Sequence, residues 1–530
     1  MTSRDWWREG VLYQIYPRSF ADSNGDGVGD LDGIIAKLDH LAWLGIDGIW
    51  LSPINPSPGD DIGYDVSDYC DVQPEYGDLA ALDRLIAEAG RRGIRLLLDL
   101  VPNHTSDRHP WFVESSASRS SRRRDWYVWA DPASAGGPPN NWVSVFGGPA
   151  WSYDERTAHF YLHQFLPSQP DLNWWNDEVR AEFDRILRFW FDRGVAGFRI
   201  DTANRIVKDR LLRDNPAIDD SVHAMVRRLG QKQLYNAGRP ELHDLLRRWR
   251  RVADEYDPAR ILVGETWLFD YTQLAAFYGA SDDELHLAFN FLLVHADFEP
   301  RELCAVVEAT EAALPGHAWP VWTGSNHDVS RLPTRWARGD ERLARSALVM
   351  LLTLRGTPVL YYGDEIAMPD VEVPAERTRD PLFHRFPDAR RGRDPERTPM
   401  HWSPASGAGF TKPDVEPWLP FGDLSRNVER QRADPASTLN LVRDLIELRR
   451  RHTDLRRGSY ATVPAVEGVW AWRRGEGTGI AINFSIAALP QPFEGEVLIG
   501  TDRQRDGSQL RVDDPIDGSS AVVVALTDGG

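Results

Sequence analysis

The stretch IRLLLDLVPNH, residues 94–104, is an almost unbroken apolar run that ends in polar residues. A strand in a parallel sheet is covered by helices on both faces, and it therefore shows such a run in place of alternating polar and apolar residues. Seven other stretches share this short, β-branched character. They are VLYQIY (11–16), IDGIWLSP (46–53), VAGFRID (195–201), ILVGE (261–265), HLAFNF (286–291), PVWTGSNHD (320–328) and TPVLYYGDE (357–365).

Amphipathic helical patterns lie between these candidate strands. LDGIIAKLDHLAWLG (31–45), LAALDRLIAEAGRRG (79–93) and VRAEFDRILRFWFDRG (179–194) carry apolar residues three and four positions apart and end at a glycine. Strands and helices in alternation predict an α/β fold, and the simplest closure of eight parallel strands is a (β/α)8 TIM barrel. An open, doubly wound sheet is the alternative. The first strand lacks a following GxGxxG motif, which argues against it.

Two regions depart from the alternation. Residues 105–170 are irregular and rich in Trp, Ser, Arg, Pro and Gly, and a structureless loop of this length is uncommon, so we predict a subdomain inserted after the third strand. After the helical stretch LNLVRDLIELRRRH the chain changes to strand-like pieces, which predict a C-terminal antiparallel β-sandwich. The predicted domains are the barrel at 1–104 and 171–457, the insertion at 105–170 and the β domain at 458–530.

The composition is that of an acidic globular protein. Its 530 residues include 61 basic and 80 acidic side chains, a net charge of −19, which argues against nucleic acid and anionic membranes as partners. Two cysteines give no disulfide framework, and no apolar run resembles a signal peptide or a membrane span. We therefore expect a cytoplasmic monomer or homodimer. Any single tryptophan packs in a core more often than it binds a sugar, but flat aromatic rings also stack on sugar rings, so the 21 tryptophans make a carbohydrate partner worth testing.

Charged and polar side chains gather at the ends of the candidate strands. In a TIM barrel these ends meet at one mouth, which carries the active site. The strand ends supply His104, Arg199, Asp201, Glu265, His327 and Asp328. Carboxylates that converge raise one another's proton affinity, which a purely structural arrangement would avoid.

Two such carboxylates suit glycoside hydrolysis with retention of configuration. At a separation of about 5–5.5 Å, one attacks the anomeric carbon while the other protonates the leaving oxygen and then deprotonates water. Arg199 lies two residues before Asp201 on an extended strand, hence on the same side, and we expect it to keep Asp201 ionised. A purely structural ion pair is the alternative for these two residues.

Five motifs resemble conserved regions of the α-amylase family, glycoside hydrolase family 13. They are QIYPRSF (14–20), DLVPNH (99–104), GFRID (197–201), GETW (264–267) and SNHD (325–328), in the order the family has them. The resemblance implies that Asp201 is the nucleophile and Glu265 the general acid/base. It implies that Asp328 binds sugar hydroxyls and stabilises the oxocarbenium-like transition state, and that His104 and His327 hydrogen-bond the first glucose.

Further motifs resemble the oligo-1,6-glucosidase and α-glucosidase group of that family. QPDLNWWN (169–176) is similar to the group's signature, and Phe165 just before it is expected to line the pocket or to pack in the core. DIGYD (61–65) and RTPM (397–400) imply that Asp61 binds the terminal glucose and pairs with Arg397, while Tyr64 stacks on the sugar ring. Such a pair closes the pocket behind one glucose. The sequence MHW at 400–402 departs from the group's usual MQW.

The predicted function is a retaining exo-α-glucosidase that releases glucose from the non-reducing end of short α-glucosides, with transglycosylation as a side activity and no catalytic cofactor. Thr202 directly follows the predicted nucleophile. In this group, Val at that position accompanies a preference for α-1,6 linkages, so Thr implies a preference for α-1,4 linkages. The alternatives are an oligo-1,6-glucosidase and a trehalose or isomaltulose synthase. A non-enzymatic protein, similar to transporter heavy-chain ectodomains, is a further alternative. It is disfavoured because those ectodomains lack parts of the acid set, whereas this sequence contains all three acids.

The acidic loop DSNGDGVGDL (22–31) resembles the front of an EF-hand. Its ligand positions are Asp22, Asn24, Asp26, the Val28 carbonyl and Asp30. The twelfth position, which should be a bidentate Glu, is Gly33, and the loop follows a predicted strand, so a calcium-sensor EF-hand is disfavoured. A plain polar turn is the alternative. The family resemblance implies one structural Ca²⁺ or Mg²⁺ here, away from the catalytic acids.

Overall fold

A parallel sheet of eight strands forms the centre of the computed structural model, which describes residues 5–219, 222–385 and 392–527. The strands are β1 (Leu12–Ile15), β2 (Gly48–Leu51), β3 (Arg95–Leu100), β4 (Gly197–Ile200), β5 (Ile261–Gly264), β6 (Leu287–Ala288), β7 (Val321–Thr323) and β8 (Thr357–Tyr361). Their order in the sheet is β7-β8-β1-β2-β3-β4-β5-β6. A parallel bridge from Phe289 to Val321 closes the ring, so the predicted (β/α)8 barrel is confirmed.

The strands are shorter than the apolar runs that predict them. β6 is the extreme case, with two residues where HLAFNF suggests six. The Nδ1 atom of His286 accepts a hydrogen bond from the Leu262 N–H, and Asn290 caps the next helix by accepting from the N–H groups of Leu292 and Leu293. Side-chain hydrogen bonds of this kind compete with the sheet ladder and end the strand early.

Helices surround the barrel. The longer ones are Leu31–Leu44, Leu79–Arg91, Asp177–Asp192, Leu242–Asp254, Pro300–Ala313, Glu341–Thr353 and Thr438–Arg451. The shorter ones are Trp6–Glu9, Pro17–Phe20, Pro110–Ser115, Ala224–Arg227, Tyr271–Ala276, Phe291–Val294, Leu332–Arg335, Pro381–Arg385, Val428–Ala433 and Thr453–Arg457. The first long helix begins where Asp30 accepts from the Gly33 N–H and ends at Gly45, whose φ of 95° suits a left-handed cap.

The segment between β3 and β4 forms the predicted inserted subdomain. Its three antiparallel strands are Trp129–Ala130, Trp151–Asp154 and His159–Leu162. They enclose a small core of their own, made of Trp142, Ala150, Trp151 and Leu162. The long irregular stretch is therefore a folded unit beside the barrel mouth.

The C-terminal region is antiparallel, as predicted. Its six-stranded sheet consists of Tyr460–Val463, Val469–Arg474, Thr478–Asn483, Gly495–Gly500, Gln509–Leu510 and Ser520–Leu526, and Leu489–Pro490 pairs with Pro515–Ile516 in a second sheet. The strand Ser520–Leu526 packs on the barrel helix Glu341–Thr353. The predicted domain bounds stay predictions, and their outer ends, residues 1–4 and 528–530, lie outside the described residues.

Two smaller expectations concern cysteines and membranes. Cys70 and Cys304 are both free thiols, which agrees with the absence of a disulfide framework. Within the described ranges, none of the helices combines the length and the apolar character that crossing a bilayer requires.

Candidate active site

Three carboxylates that are far apart in the sequence meet at the C-terminal mouth of the barrel. Asp201 and Glu265 directly follow β4 and β5, and Asp328 lies in the loop after β7. All three line one cavity of about 640 Å³. The strand-end argument therefore predicted their convergence correctly.

One guanidinium joins two of these carboxylates. Arg199 Nη1 lies 2.8 Å from Asp201 Oδ1, and Arg199 Nη2 lies 2.8 Å from Glu265 Oε2. Nη1 also donates to both oxygens of Asp99, at 2.8 and 2.9 Å. Since Arg199 is only 2% exposed, three carboxylates share one buried cation. Asp99 had no predicted role; the register of β3 against β4, which sets it opposite Arg199, explains its place.

Burial dominates the electrostatics of this group. It raises the pKa of Asp201 well above its ordinary value, although Arg199 opposes the rise; Glu265 and Asp99 add to it. Burial likewise raises the pKa of Asp99 to about 7. The predicted contact between Arg199 and Asp201 is present. Arg199 lowers the pKa of Asp201, as expected, although the desolvation of the buried carboxyl outweighs this single cation. The ionised state of Asp201 during catalysis stays a prediction.

Thr202 adopts an uncommon backbone conformation. Its φ of 42° lies in the left-handed region, which is costly for a β-branched residue and points to a functional constraint. The Thr202 N–H donates to Glu265 Oε2 at 2.8 Å, and its Oγ1 lies 3.4 Å from Asp201 Oδ2. The turn therefore orients Glu265 while the Thr202 side chain forms part of the cavity wall.

Asp328 sits in a strongly positive setting. Its Oδ1 lies 2.9 Å from both Arg393 Nη1 and Arg397 Nη2, and its Oδ2 lies 3.1 Å from His327 Nε2. Burial acts to raise the pKa of Asp328, but the nearby cations, Arg393 and Arg397 among them, bring it below its ordinary value. Asp328 therefore stays ionised, in contrast to the raised pKa of Asp201.

The predicted ion pair between Asp61 and Arg397 is wrong. The partner of Asp61 is Arg393, whose Nη2 lies 2.9 Å from Asp61 Oδ1. Arg397 is held elsewhere, because its Nε donates to the His327 carbonyl at 2.7 Å and its Nη2 binds Asp328. Arg393 lines the cavity and Arg397 does not. The RTPM resemblance pointed to Arg397, whereas the true partner, Arg393, lies four residues earlier, at the start of the stretch RDPER.

Two further residues hold the Asp61–Arg393 pair in place. Gln169, the first residue of the QPDLN motif, donates from Nε2 to Asp61 Oδ2 at 3.1 Å. Asp380 accepts from Arg393 Nη2 at 2.8 Å and from its Nε at 3.1 Å. Burial raises the pKa of Asp61 to about 6, against the opposing charge of Arg393. The sequence motifs pointed to neither of these supporting contacts.

Tyr64, His104 and Phe165 line the cavity, where the sequence placed them. The Tyr64 ring stacks on His327, with centroids 5.4 Å apart and planes 8° apart. His327 is fully buried behind that wall. Burial lowers the pKa of His104 to about 4 and the pKa of His327 well below its usual value, so both rings are neutral near pH 7. Their hydrogen bonds to sugar hydroxyls stay predictions.

Comparison with known proteins places this geometry in a family. The family model of the α-amylase catalytic domain matches residues 14–458. The chain belongs to the α-amylase family. A probable α-glucosidase of Rhizobium meliloti (strain 1021) is 44% identical over 487 residues, 89% of this chain and 88% of that protein. An oligo-1,6-glucosidase of Parageobacillus thermoglucosidasius is 38% identical over 492 residues, 86% of each chain.

A solved structure extends the likeness to nearly the whole α-amylase-family chain. The α-glucosyl transfer enzyme XgtA is 40% identical and superposes with a TM-score of 0.91, covering 98% of this chain and 99% of that one. The family match and the convergent acids identify a glycoside hydrolase.

In this α-amylase-family chain the acidic loop lies between the helices Pro17–Phe20 and Leu31–Leu44, so a short helix separates it from β1. Asp22 accepts from the Gly25 and Gly27 N–H groups at 2.6 and 2.9 Å. In the part of the chain that the structure describes, no three His, Cys, Asp or Glu side chains converge as metal ligands. The donors are nevertheless all oxygens, the chemistry that Ca²⁺ and Mg²⁺ prefer.

Proposed function

We propose that this protein is a retaining exo-α-glucosidase that removes glucose from the non-reducing end of short α-glucosides, with α-1,4 linkages favoured. The observation that carries the proposal is the Arg199 fork, which holds Asp201 and Glu265 on adjacent nitrogens of one guanidinium. A fork of this kind suits the close carboxylate spacing of the double-displacement mechanism, whereas inversion needs room for a water between the acids.

In the proposed reaction, the Asp201 carboxylate, whose ionised form Arg199 favours, attacks the anomeric carbon while Glu265 protonates the leaving oxygen. Glu265 then takes a proton from water, which attacks the same carbon and releases α-glucose. The Thr202 N–H fixes the Glu265 carboxylate during both proton transfers. Asp328, kept ionised by its arginines, stabilises the positive charge that develops on the sugar. The residues present supply every step, so the proposal assigns no cofactor to catalysis.

The Asp61–Arg393 pair supports cleavage from the chain end. It lines the cavity, and Asp61 is only 4% exposed, so the pair can close the pocket behind one glucose. A substrate would then extend only past Glu265, on the leaving-group side. A cytoplasmic location and a monomeric or homodimeric state remain predictions.

A rate panel on maltose, isomaltose, sucrose, trehalose and an aryl α-glucoside tests this function. We expect glucose as the main product and maltose to be cleaved faster than isomaltose. Thr202→Val should move the maltose/isomaltose ratio of kcat/KM toward isomaltose by about tenfold, because it replaces a hydroxyl on the cavity wall by a methyl group. Faster cleavage of isomaltose by the wild type would favour an oligo-1,6-glucosidase.

Glucosyl transfer is the second candidate, because the similar enzyme XgtA is a glucosyl transfer enzyme. It uses the same acids and differs in how well water is kept from the glucosyl intermediate. At low sugar concentration we expect hydrolysis to dominate. Trehalose or another disaccharide as the main product from maltose would instead identify a synthase.

We also propose that the loop 22–30 binds one structural Ca²⁺ or Mg²⁺ through Asp22, Asn24, Asp26, the Val28 carbonyl and Asp30. Elemental analysis should find about one ion per chain, and EDTA should lower the melting temperature by several degrees, since an ion that binds only the folded state stabilises it. Asp26→Asn, which removes one ligand charge, should bind less metal. Unchanged metal content and unchanged melting temperature after EDTA would refute the site.

A further inference from the structure

The cavity has arginines that no carboxylate of the described chain neutralises. On the glucose side, Arg393 is matched by Asp61 and Asp328. Arg205 and Arg228 also line the cavity, yet neither forms an ion pair with any residue in the ranges that the structure describes. Arg205 and Arg228 therefore add positive charge to the cavity lining.

Arg205 is the more constrained of the two. It is only 6% exposed, and its Nη1 donates to neutral amide oxygens, at 3.1 Å to Gln164 Oε1 and 3.3 Å to Gln233 Oε1. Its Nε and Nη2 find no acceptor among the described residues. A buried charge without a counter-charge is costly unless something else compensates it. Accordingly, burial and the nearby Arg228 lower the pKa of Arg205 to about 10.

The nearby carboxylates Asp171 and Glu265 compensate the charge of Arg205 only in part. Asp171 is bound by Lys208 at 2.9 Å, and Glu265 is bound by Arg199 at 2.8 Å. Arg205 therefore lines the cavity with two nitrogens, Nε and Nη2, that no protein anion binds. A ligand that brings its own anion would satisfy them.

The position of Arg205 shows which part of a ligand would meet it. Arg205 ends the short turn Ala203–Arg205, which follows Asp201 and Thr202, and it lies close enough to Glu265 for the charge of that carboxylate to raise the pKa of Arg205. Glu265 is the proposed proton donor to the leaving oxygen, so Arg205 belongs to the leaving-group side. Glucose is uncharged and would occupy the pocket at Asp61. An anion at Arg205 would therefore be carried by the leaving group.

We propose that the enzyme accepts α-glucosides whose leaving group carries a carboxylate, with Arg205 binding that carboxylate and Arg228 attracting it at the cavity rim. A planar guanidinium with two free donors matches the two oxygens of a carboxylate. The inference rests on the proposed α-glucosidase function and specifies its substrate class. Hydrolysis would release glucose and a hydroxy acid, with water as the only co-reactant.

The test compares the α-glucoside of 4-hydroxyphenylacetate with the α-glucoside of the corresponding amide. The methylene group insulates the phenol, so the two leaving groups are similar in reactivity and differ in charge. At low salt and pH 7 we expect kcat/KM to be about tenfold higher for the carboxylate, the usual size of a hydrogen bond to a charged group. Added NaCl should reduce this preference.

Single substitutions identify the residues that cause the preference for the carboxylate over the amide. Arg205→Gln and Arg228→Gln should each bring the carboxylate/amide ratio toward one, and the exposed Arg228 provides a variant with little risk to folding. Arg210→Gln is the matched control, because Arg210 lies over Trp175 away from the cavity wall and should keep the ratio. A wild-type ratio of one or below, or ratios unchanged in both variants, would overturn the inference. Failure to cleave either glucoside would overturn the α-glucosidase proposal instead.

Discussion

Replacing Asp201 by alanine is expected to lower kcat on an aryl α-glucoside by about 10⁴- to 10⁶-fold, the range seen when a nucleophile is removed from a covalent mechanism. The side chain lies at the cavity wall, directly after β4, and no packed core is lost with it. Circular dichroism and the melting temperature should therefore show an intact fold. The measurement is steady-state kinetics on purified, folded variants.

Asp209→Ala is the matched control for this substitution. Asp209 lies further along the same loop, is bound by Arg213 at 2.6 Å and does not line the cavity. We expect it to retain nearly all activity. Near wild-type turnover by the Asp201→Ala variant would remove Asp201 from the role of nucleophile.

Replacing Arg199 by alanine is expected to cost about 3–5 kcal/mol of unfolding free energy at neutral pH, because it leaves buried carboxylates without their cation. Asp99, Asp201 and Glu265 all contact this one guanidinium. Urea unfolding measures the loss. Arg193→Ala is the control: its ion pair with Asp83 is partly solvated, so we expect a change below about 1 kcal/mol.

The pH dependence of the Arg199→Ala effect distinguishes electrostatics from lost packing. The pKa values of Asp99 and Asp201 are raised in the folded state, so the folded protein holds these protons more tightly than the unfolded chain. The favourable contribution of these two groups to the free energy of unfolding is complete at low pH. It is lost as the pH rises through their pKa values in the folded state. Without Arg199, the buried carboxylate forms of Asp99 and Asp201 destabilise the folded state more. The Arg199→Ala variant should therefore lose more unfolding free energy at pH 8 than at pH 5. An equal loss at both pH values would contradict this origin.

Barrel geometry explains why the central site could be predicted from sequence. Apolar runs identify the eight strands, and parallel strands in a closed sheet bring their C-terminal ends together. Asp201, Glu265 and Asp328 therefore had to meet once the strands were recognised. The run lengths could not fix strand ends, because side-chain caps such as Asn290 end β6 early.

Contacts between distant loops could not be predicted from the sequence. The choice of Arg393 over Arg397 as the partner of Asp61 depends on how the loop after β8 folds back over the mouth, which no periodic pattern records. The role of Asp99 depends on strand register. The direction of the Asp201 pKa shift depends on the balance of burial against one shared cation, and sequence shows the cation but not the burial.

The most direct measurement is to trap the covalent intermediate with a slowly hydrolysed fluorinated α-glucosyl fluoride and to locate the label by mass spectrometry of the digested protein. If Asp201 attacks the anomeric carbon, each chain should carry one glucosyl ester, on Asp201, and labelling should coincide with loss of activity. An ester on any other carboxylate, or unlabelled protein that still turns over the reagent with inversion, would contradict the double-displacement mechanism built on Asp201 and Glu265.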